Sequence, residues 1–188
     1  MGEAAEKEVL KEFVRDFHKV KARGWIPSNR FHDTGIGKTF EDFIGVIENN
    51  KASVDYNGVL ELKSARELSG AMVTLFTKSP QPKGVNSKLR ETFGYLDEEH
   101  TDKKILHTTF SGNKFNTSKG KFGFKLDINF KSKKIYILIK NLKDDILINS
   151  IEAFYPFAEL NEIVEDKCKN IAFIKTKSKK EGGQELFQ

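Results

Sequence analysis

Cysteine is nearly absent from this chain. Cys168 stands alone, which excludes an intramolecular disulfide and any zinc site built on several thiolates, and fits a reducing cytoplasm. No apolar run approaches the roughly 18 residues that a membrane helix needs. The opening MGEAAEKEVLKEF lacks the apolar stretch of a signal peptide, so no membrane association is expected. His18, His32 and His100 are scattered without metal-ligand spacing. Internal repeats and long linkers are also missing. What is present is enough for a packed domain: 188 residues, 38% apolar, with 16 Phe, which excludes wholesale disorder. A mean hydropathy of −0.51 marks a water-facing surface.

The charge is unevenly spread. The net value is only +5, yet Lys103 to Lys143 holds eleven lysines against one acid, Asp127. That stretch carries a surplus of ten positive charges and the rest of the chain is net negative, a distribution that fits either a polyanion such as nucleic acid or a solvated lysine-rich hairpin.

Periodicity divides the chain into a mixed set of elements. Leu10, Phe13, Val14, Phe17 and Val20 form a helical stripe over 5–23. A second helix is expected from Thr39 to about Asn49, capped by Thr39 or Thr34. Asn57-Gly58 signals a hairpin turn before a strand at 59–63. Further strands are expected at 71–77 and 104–110, with a short helix at 87–93 between them. Phe122, Phe124, Leu126, Ile128 and Phe130 alternate as one core face of a strand. The apolar run 135–139 reads as a return strand buried on both faces. A helix at 156–167 and a last strand at 171–176 follow, and 177–188 reads as a loose polar tail. Strands follow one another without intervening helices, so the fold class is α/β of the α+β type, not a doubly wound parallel fold. A single domain over 1–176 is expected.

The chemistry concentrates in Asp55-Tyr-Asn-Gly-Val-Leu-Glu61-Leu-Lys63. On a strand, Glu61 and Lys63 project to one face while Leu60 and Leu62 enter the core. Asp55 returns across the Asn57-Gly58 turn. Asp55, Glu61 and the Leu62 carbonyl make an oxygen-rich set suited to Mg²⁺, with Lys63 beside the attacking water. Alone, an acid, a gap and Glu-x-Lys fit a surface ion pair equally well. Thr34-Gly-Ile-Gly-Lys-Thr39 looks like a phosphate-binding loop, but His32 stands where that motif needs glycine, and no strand leads into it. Tyr56 is the aromatic expected nearest the cleft, and Cys168 reads as structural.

Taken in order, Gly35-Ile-Gly-Lys-Thr-Phe-Glu41, Asp55, Glu61-Leu-Lys63 and Thr74-Leu-Phe-Thr-Lys-Ser-Pro80 resemble the MvaI/BcnI family of type II restriction endonucleases, relatives of the mismatch-repair nickase MutH. Lys83-Gly-Val-Asn-Ser-Lys-Leu-Arg90, Ile105-Leu-His107 and Ser111-Gly-Asn113 look like the MvaI side of that family. The resemblance implies a PD-(D/E)xK core with a central mixed sheet flanked by helices. It implies Mg²⁺ at Asp55 and Glu61, Lys63 as the catalytic lysine, and Glu41 at the same site. It implies a prokaryotic cytoplasmic monomer that cuts a short duplex site, with a companion DNA methyltransferase. DNA contacts are expected from Lys38, Lys78, Lys83, Lys88, Arg90, His107, Ser111, Asn113, Lys114 and Lys119, part of them in a lobe around 103–150. His107 falls on an expected strand, and reads either as a core or face histidine or as one near the DNA backbone. Family members usually run some tens of residues further, through much of their base-reading lobe, and arginine is scarce here (Arg15, Arg23, Arg30, Arg66, Arg90). The alternatives are therefore a MutH-like nickase, or an inactive DNA-binding remnant lacking its reader.

Overall fold

Alternating charge and an apolar stripe produce the first helix, and the same two signals recur through the fold. The computed structural model describes residues 2–30, 32, 34–46, 54–117 and 119–188. They form two compact units: Met1–Phe76 with Ile163–Gln188, and Thr77–Glu162.

The first unit opens with α1 (Glu3–Lys21). Glu3 and Glu6 in its first turn and His18, Lys19 and Lys21 in its last complement the helix dipole. Phe13 and Val20 are buried with Phe40, Tyr56, Leu60, Leu62 and Ile174, while Val14 falls outside the stripe and stays half-exposed. β1 (Ile26–Pro27) precedes α2 (Gly35–Phe43), which begins four residues before the expected Thr39. The earlier start follows from Gly35: a Cβ there would lie 2.5 Å from the Arg30 carbonyl oxygen, so only glycine lets the helix begin against that loop. Neither threonine caps by its side chain. Thr34 makes no such bond, and buried Thr39 instead accepts the Asn29 N–H at 2.9 Å. The helix also ends sooner than the expected 49: it stops at Phe43, with Ile44 as its C-cap and Gly45 at a φ of 75°, a left-handed backbone that cannot continue a helix; residues 47–49 lie outside the described residues.

β2 (Glu61–Arg66) pairs in parallel with β9 (Ile171–Thr176). The tail, expected to be loose, is a hairpin of β10 (Ser178–Glu181) and β11 (Gln184–Phe187), with β11 also pairing β1. Gly182 and Gly183 both hold positive φ (56° and 82°), the backbone that a two-residue hairpin turn demands. Phe187 is buried and anchors the strand.

The second unit holds α3 (Val85–Phe93), β3 (Tyr95–Leu96), β4 (Lys104–Ile105), β5 (Phe122–Asn129), β6 (Lys134–Asn141), β7 (Ile146–Ile148) and β8 (Phe154–Pro156). Val85, Leu89 and Phe93, at helical spacing, pack with Phe124, Ile137, Ile139 and Ala153. β6 lies between β5 on one side and β7 and β8 on the other, all antiparallel. The expected strand at 104–110 is reduced to β4, and residues 71–77 form neither helix nor strand. The core face of β5 ends at Leu126. Ile128 is half-exposed and Phe130 is 78% exposed, its ring set against Phe157 at 5.9 Å. Ile137 and Ile139 of β6 are buried, but Leu138 between them is only half-buried, so the strand is covered fully on one face. α4 (Phe157–Lys167) runs from the second unit back into the first. The class is the mixed α/β expected, with the strands of the described residues sorted into four sheets.

Candidate active site

The site grows from the edge and face of β2. Asn57 and Gly58 both take positive φ, and Tyr56 bridges Leu60, closing the Asn-Gly turn where the sequence signals it. The Glu61 N–H donates to the Asn170 carbonyl at 2.9 Å, so the main-chain groups of Glu61 face β9. Successive residues alternate edges, and the Leu62 N–H accordingly points the other way, donating to Asp55 Oδ2 at 2.8 Å. The Leu62 carbonyl therefore lies on the same edge as the Asp55 carboxylate.

Glu61 and Lys63 share a face, with Lys63 Nζ donating to Glu61 Oε1 at 2.7 Å, while Leu60 and Leu62 enter the core. Glu61 is 5% exposed, and a carboxylate that deep needs counter-charges. Its second oxygen, Oε2, has Lys167 Nζ at 3.4 Å. The sequence reading did not include Lys167. It sits 106 positions from Glu61 and meets it only through the β2–β9 pairing.

Beside this strand is a cleft of about 550 Å³ lined by Gly37, Lys38, Glu41, Leu62, Lys63 and Ser64, among others. Helix α2 thus brings Glu41 to the strand that carries Lys63. A Cβ on Gly37 would come within 3.1 Å of Ser64 Oγ and 3.7 Å of Glu41 Oε1, so the bare glycine keeps that space open. Asp55 and Glu61 do not line the cleft; the first sits at the strand edge and the second is buried. Among the described residues, no three or more His, Cys, Asp or Glu side chains are grouped to hold a metal ion. The donors that fit a cation are two carboxylates and a carbonyl, all hard oxygen, as Mg²⁺ takes while keeping several waters.

Arg66, at the end of β2, also lines the cleft. Its Nε and an η-nitrogen donate to the two Glu185 oxygens at 2.8 and 2.9 Å, and this holds the Glu185 carboxyl below its usual range. Lys38 pairs with Asp42 at 2.7 Å and lowers that carboxyl likewise. Tyr56 does not reach the cleft. Its ring packs edge-on against Phe13 at 5.4 Å and its hydroxyl donates to Asp16, because the alternation that turns Asp55 outward turns its neighbour inward.

The remaining residues expected at DNA lie in the second unit. Arg90 and His107 line one groove with Lys103 and Lys104. Lys83 and Lys88 are exposed, whereas Lys78 is half-buried and paired with Glu159. Ser111 donates to Asn113 Oδ1 at 2.8 Å and accepts from Asn116, so this loop is tied within itself. Lys114 projects from it, exposed, and Lys119 pairs with Glu98.

Comparison with known proteins follows the same lines. None of the curated proteins matches. Among solved structures, the whole chain is similar to restriction endonuclease MvaI in complex with its cognate DNA substrate, at 33% identity and a TM-score of 0.88, spanning 72% of that chain. It is also similar to MvaI in the absence of DNA, at 32% identity and a TM-score of 0.55, again over 72% of that chain. Residues 14–188 match the family model for the MvaI/BcnI restriction endonucleases. With nearly the full length accounted for, the chain belongs to the MvaI/BcnI restriction endonuclease family.

Proposed function

We propose that this protein is a type II restriction endonuclease that hydrolyses phosphodiester bonds of double-stranded DNA at a short specific site, with Mg²⁺ as cofactor. The carrying observation is the Glu61–Lys63 pair on β2, with Asp55 bonded to the intervening Leu62 and Glu41 beside Lys63 in the cleft. Support from outside the chain is its 33% identity to a nuclease solved with its cognate DNA substrate.

In this reading Asp55, Glu61 and the Leu62 carbonyl hold the cation. When bound, Mg²⁺ supplies charge stabilisation at a phosphate oxygen and a water of lowered pKa. Lys63 orients the attacking water through its Nζ, which already donates to the neighbouring carboxylate. Glu41 accepts from that water or supports the cation. Lys38 and Arg66 line the same cleft, each held by a carboxylate, Asp42 and Glu185. The protein works as a monomer, and a companion methyltransferase protects the sites it would cut.

The test is cleavage of unmethylated supercoiled plasmid with Mg²⁺ or EDTA, followed by sequencing of the ends. Discrete linear fragments sharing one end sequence are expected. Nicked circles alone would instead identify a MutH-like nickase. A DNA shift without cutting would identify a binding remnant. Lys63→Ala is expected to abolish detectable cleavage by removing roughly 10²–10⁴-fold of rate, the span of a positioned acid–base group, and Asp55→Ala to abolish it by removing a cation ligand, while DNA binding survives in both. Undiminished cutting in either variant would sink the assignment of these residues.

A further inference from the structure

We infer that Lys167 is a positioning residue that holds Glu61 in the metal-free protein and competes with the divalent cation for it. The inference rests on the Mg²⁺ reading above. Glu61 is buried with one oxygen on each of two lysines, and the two contacts differ: Lys63 sits at 2.7 Å from Oε1, Lys167 at 3.4 Å from Oε2. The longer contact is the weaker one, and Oε2 is the oxygen more readily given up.

The position of Lys167 is built into the fold. It ends α4, four residues before Ile171, and Ile171 is the register partner of Glu61. Asn170 stitches the intervening turn to the same strand. Its carbonyl accepts the Glu61 N–H at 2.9 Å, and its side chain donates to the Val59 carbonyl at 3.3 Å and to Glu6 at 2.7 Å. The ammonium is thereby carried to Glu61 by main-chain pairing rather than by a freely swinging side chain alone.

Two consequences follow from the charges. Without a cation, Lys167 offsets part of the cost of burying the Glu61 carboxylate. With a cation arriving, the same positive charge repels it, so Lys167 weakens divalent binding. A purely structural lysine has the first effect and not the second.

Calorimetric titration of Ca²⁺ into the full chain, without DNA, separates them. Lys167→Met is expected to bind Ca²⁺ about tenfold more tightly, the scale for removing a unit charge a few ångströms from a divalent site. Lys167→Arg, which keeps the charge, is expected to bind as the parent does, and Glu61→Gln to lose the site. In EDTA, Lys167→Met is expected to melt about 4 °C lower, and added Ca²⁺ to raise its melting temperature more than that of the parent. Unchanged or weaker Ca²⁺ binding by Lys167→Met overturns the inference while leaving Glu61 as a ligand. If Lys167→Met does not fold, Lys167→Gln makes the same comparison; failure of both to fold would make Lys167 a structural anchor and overturn it too. A parent whose Ca²⁺ binding is indifferent to Glu61→Gln would overturn the metal reading itself, and this inference with it.

Discussion

Tyr56 and Asp55 are neighbours with opposite fates, and the difference sets the residue-scale expectations. Asp55 stays exposed at the strand edge and accepts the Leu62 N–H, while Tyr56 is 3% exposed and donates its hydroxyl to Asp16 Oδ2 at 2.8 Å. Burial, then this bond, pushes the tyrosine hydroxyl well above its ordinary range, so it stays protonated and remains a donor. Asp16 is drawn below its usual range chiefly by Lys19 and then by Tyr56. Tyr56→Phe removes the hydroxyl and keeps the ring packing, so unfolding in urea is expected to show a loss of about 1 kcal/mol, a typical net hydrogen bond to a partner that retains Lys19. A loss of several kcal/mol would mean that the bond to α1 also positions the turn bearing Asp55.

At the scale of elements, the β10–β11 hairpin ties the end of β2 through Arg66 and Glu185. Arg66 depresses the Glu185 carboxyl from its usual 4.5. A depressed carboxyl stabilises the fold above its unfolded value, and that contribution disappears as pH falls below about 4.5 through the folded value. Glu185→Gln is therefore expected to melt lower at neutral pH and to lose less on acidification; parallel acid limbs in the two proteins would refute the clasp. This hairpin also shows where sequence reading runs out. The long elements α1, β5, β6, α4 and β9 carry enough periodic residues to be legible, and so does the parity that pairs Glu61 with Lys63. Strands of two to four residues such as β1, β3, β7, β8 and β11 have no period of their own and exist through their partners. The Gly182-Gly183 turn signal was there to be used, but the charged residues around it read as solvated tail. Lys167 was invisible for a related reason: nothing local links a helix end to a strand 106 residues away.

Across the whole molecule, the lysine-rich stretch 103–143, with its surplus of ten positive charges, falls entirely within the second unit, whose acids outside that stretch reduce its net charge to +4. Duplex DNA binding is accordingly expected to fall by roughly 10²–10³-fold between about 50 and about 200 mM salt, as counterion release at some five phosphate contacts would give. A flat salt response in a filter-binding series would show that these lysines do not track the phosphates. The two units also differ in how their chain is laid out. Thr77–Glu162 is one uninterrupted stretch, whereas the first unit is assembled from both ends of the sequence, and its β2–β9 ladder joins Glu61 to Ile171. Loop-closure entropy makes such a distant pairing slow, and a growing chain cannot attempt it at all until the later strand has left the ribosome. During synthesis the inserted unit can fold first, and Glu61 meets Asn170 and Lys167 only after that unit has been made. A half-made chain thus carries the lysine-rich surface before the carboxylate site is assembled.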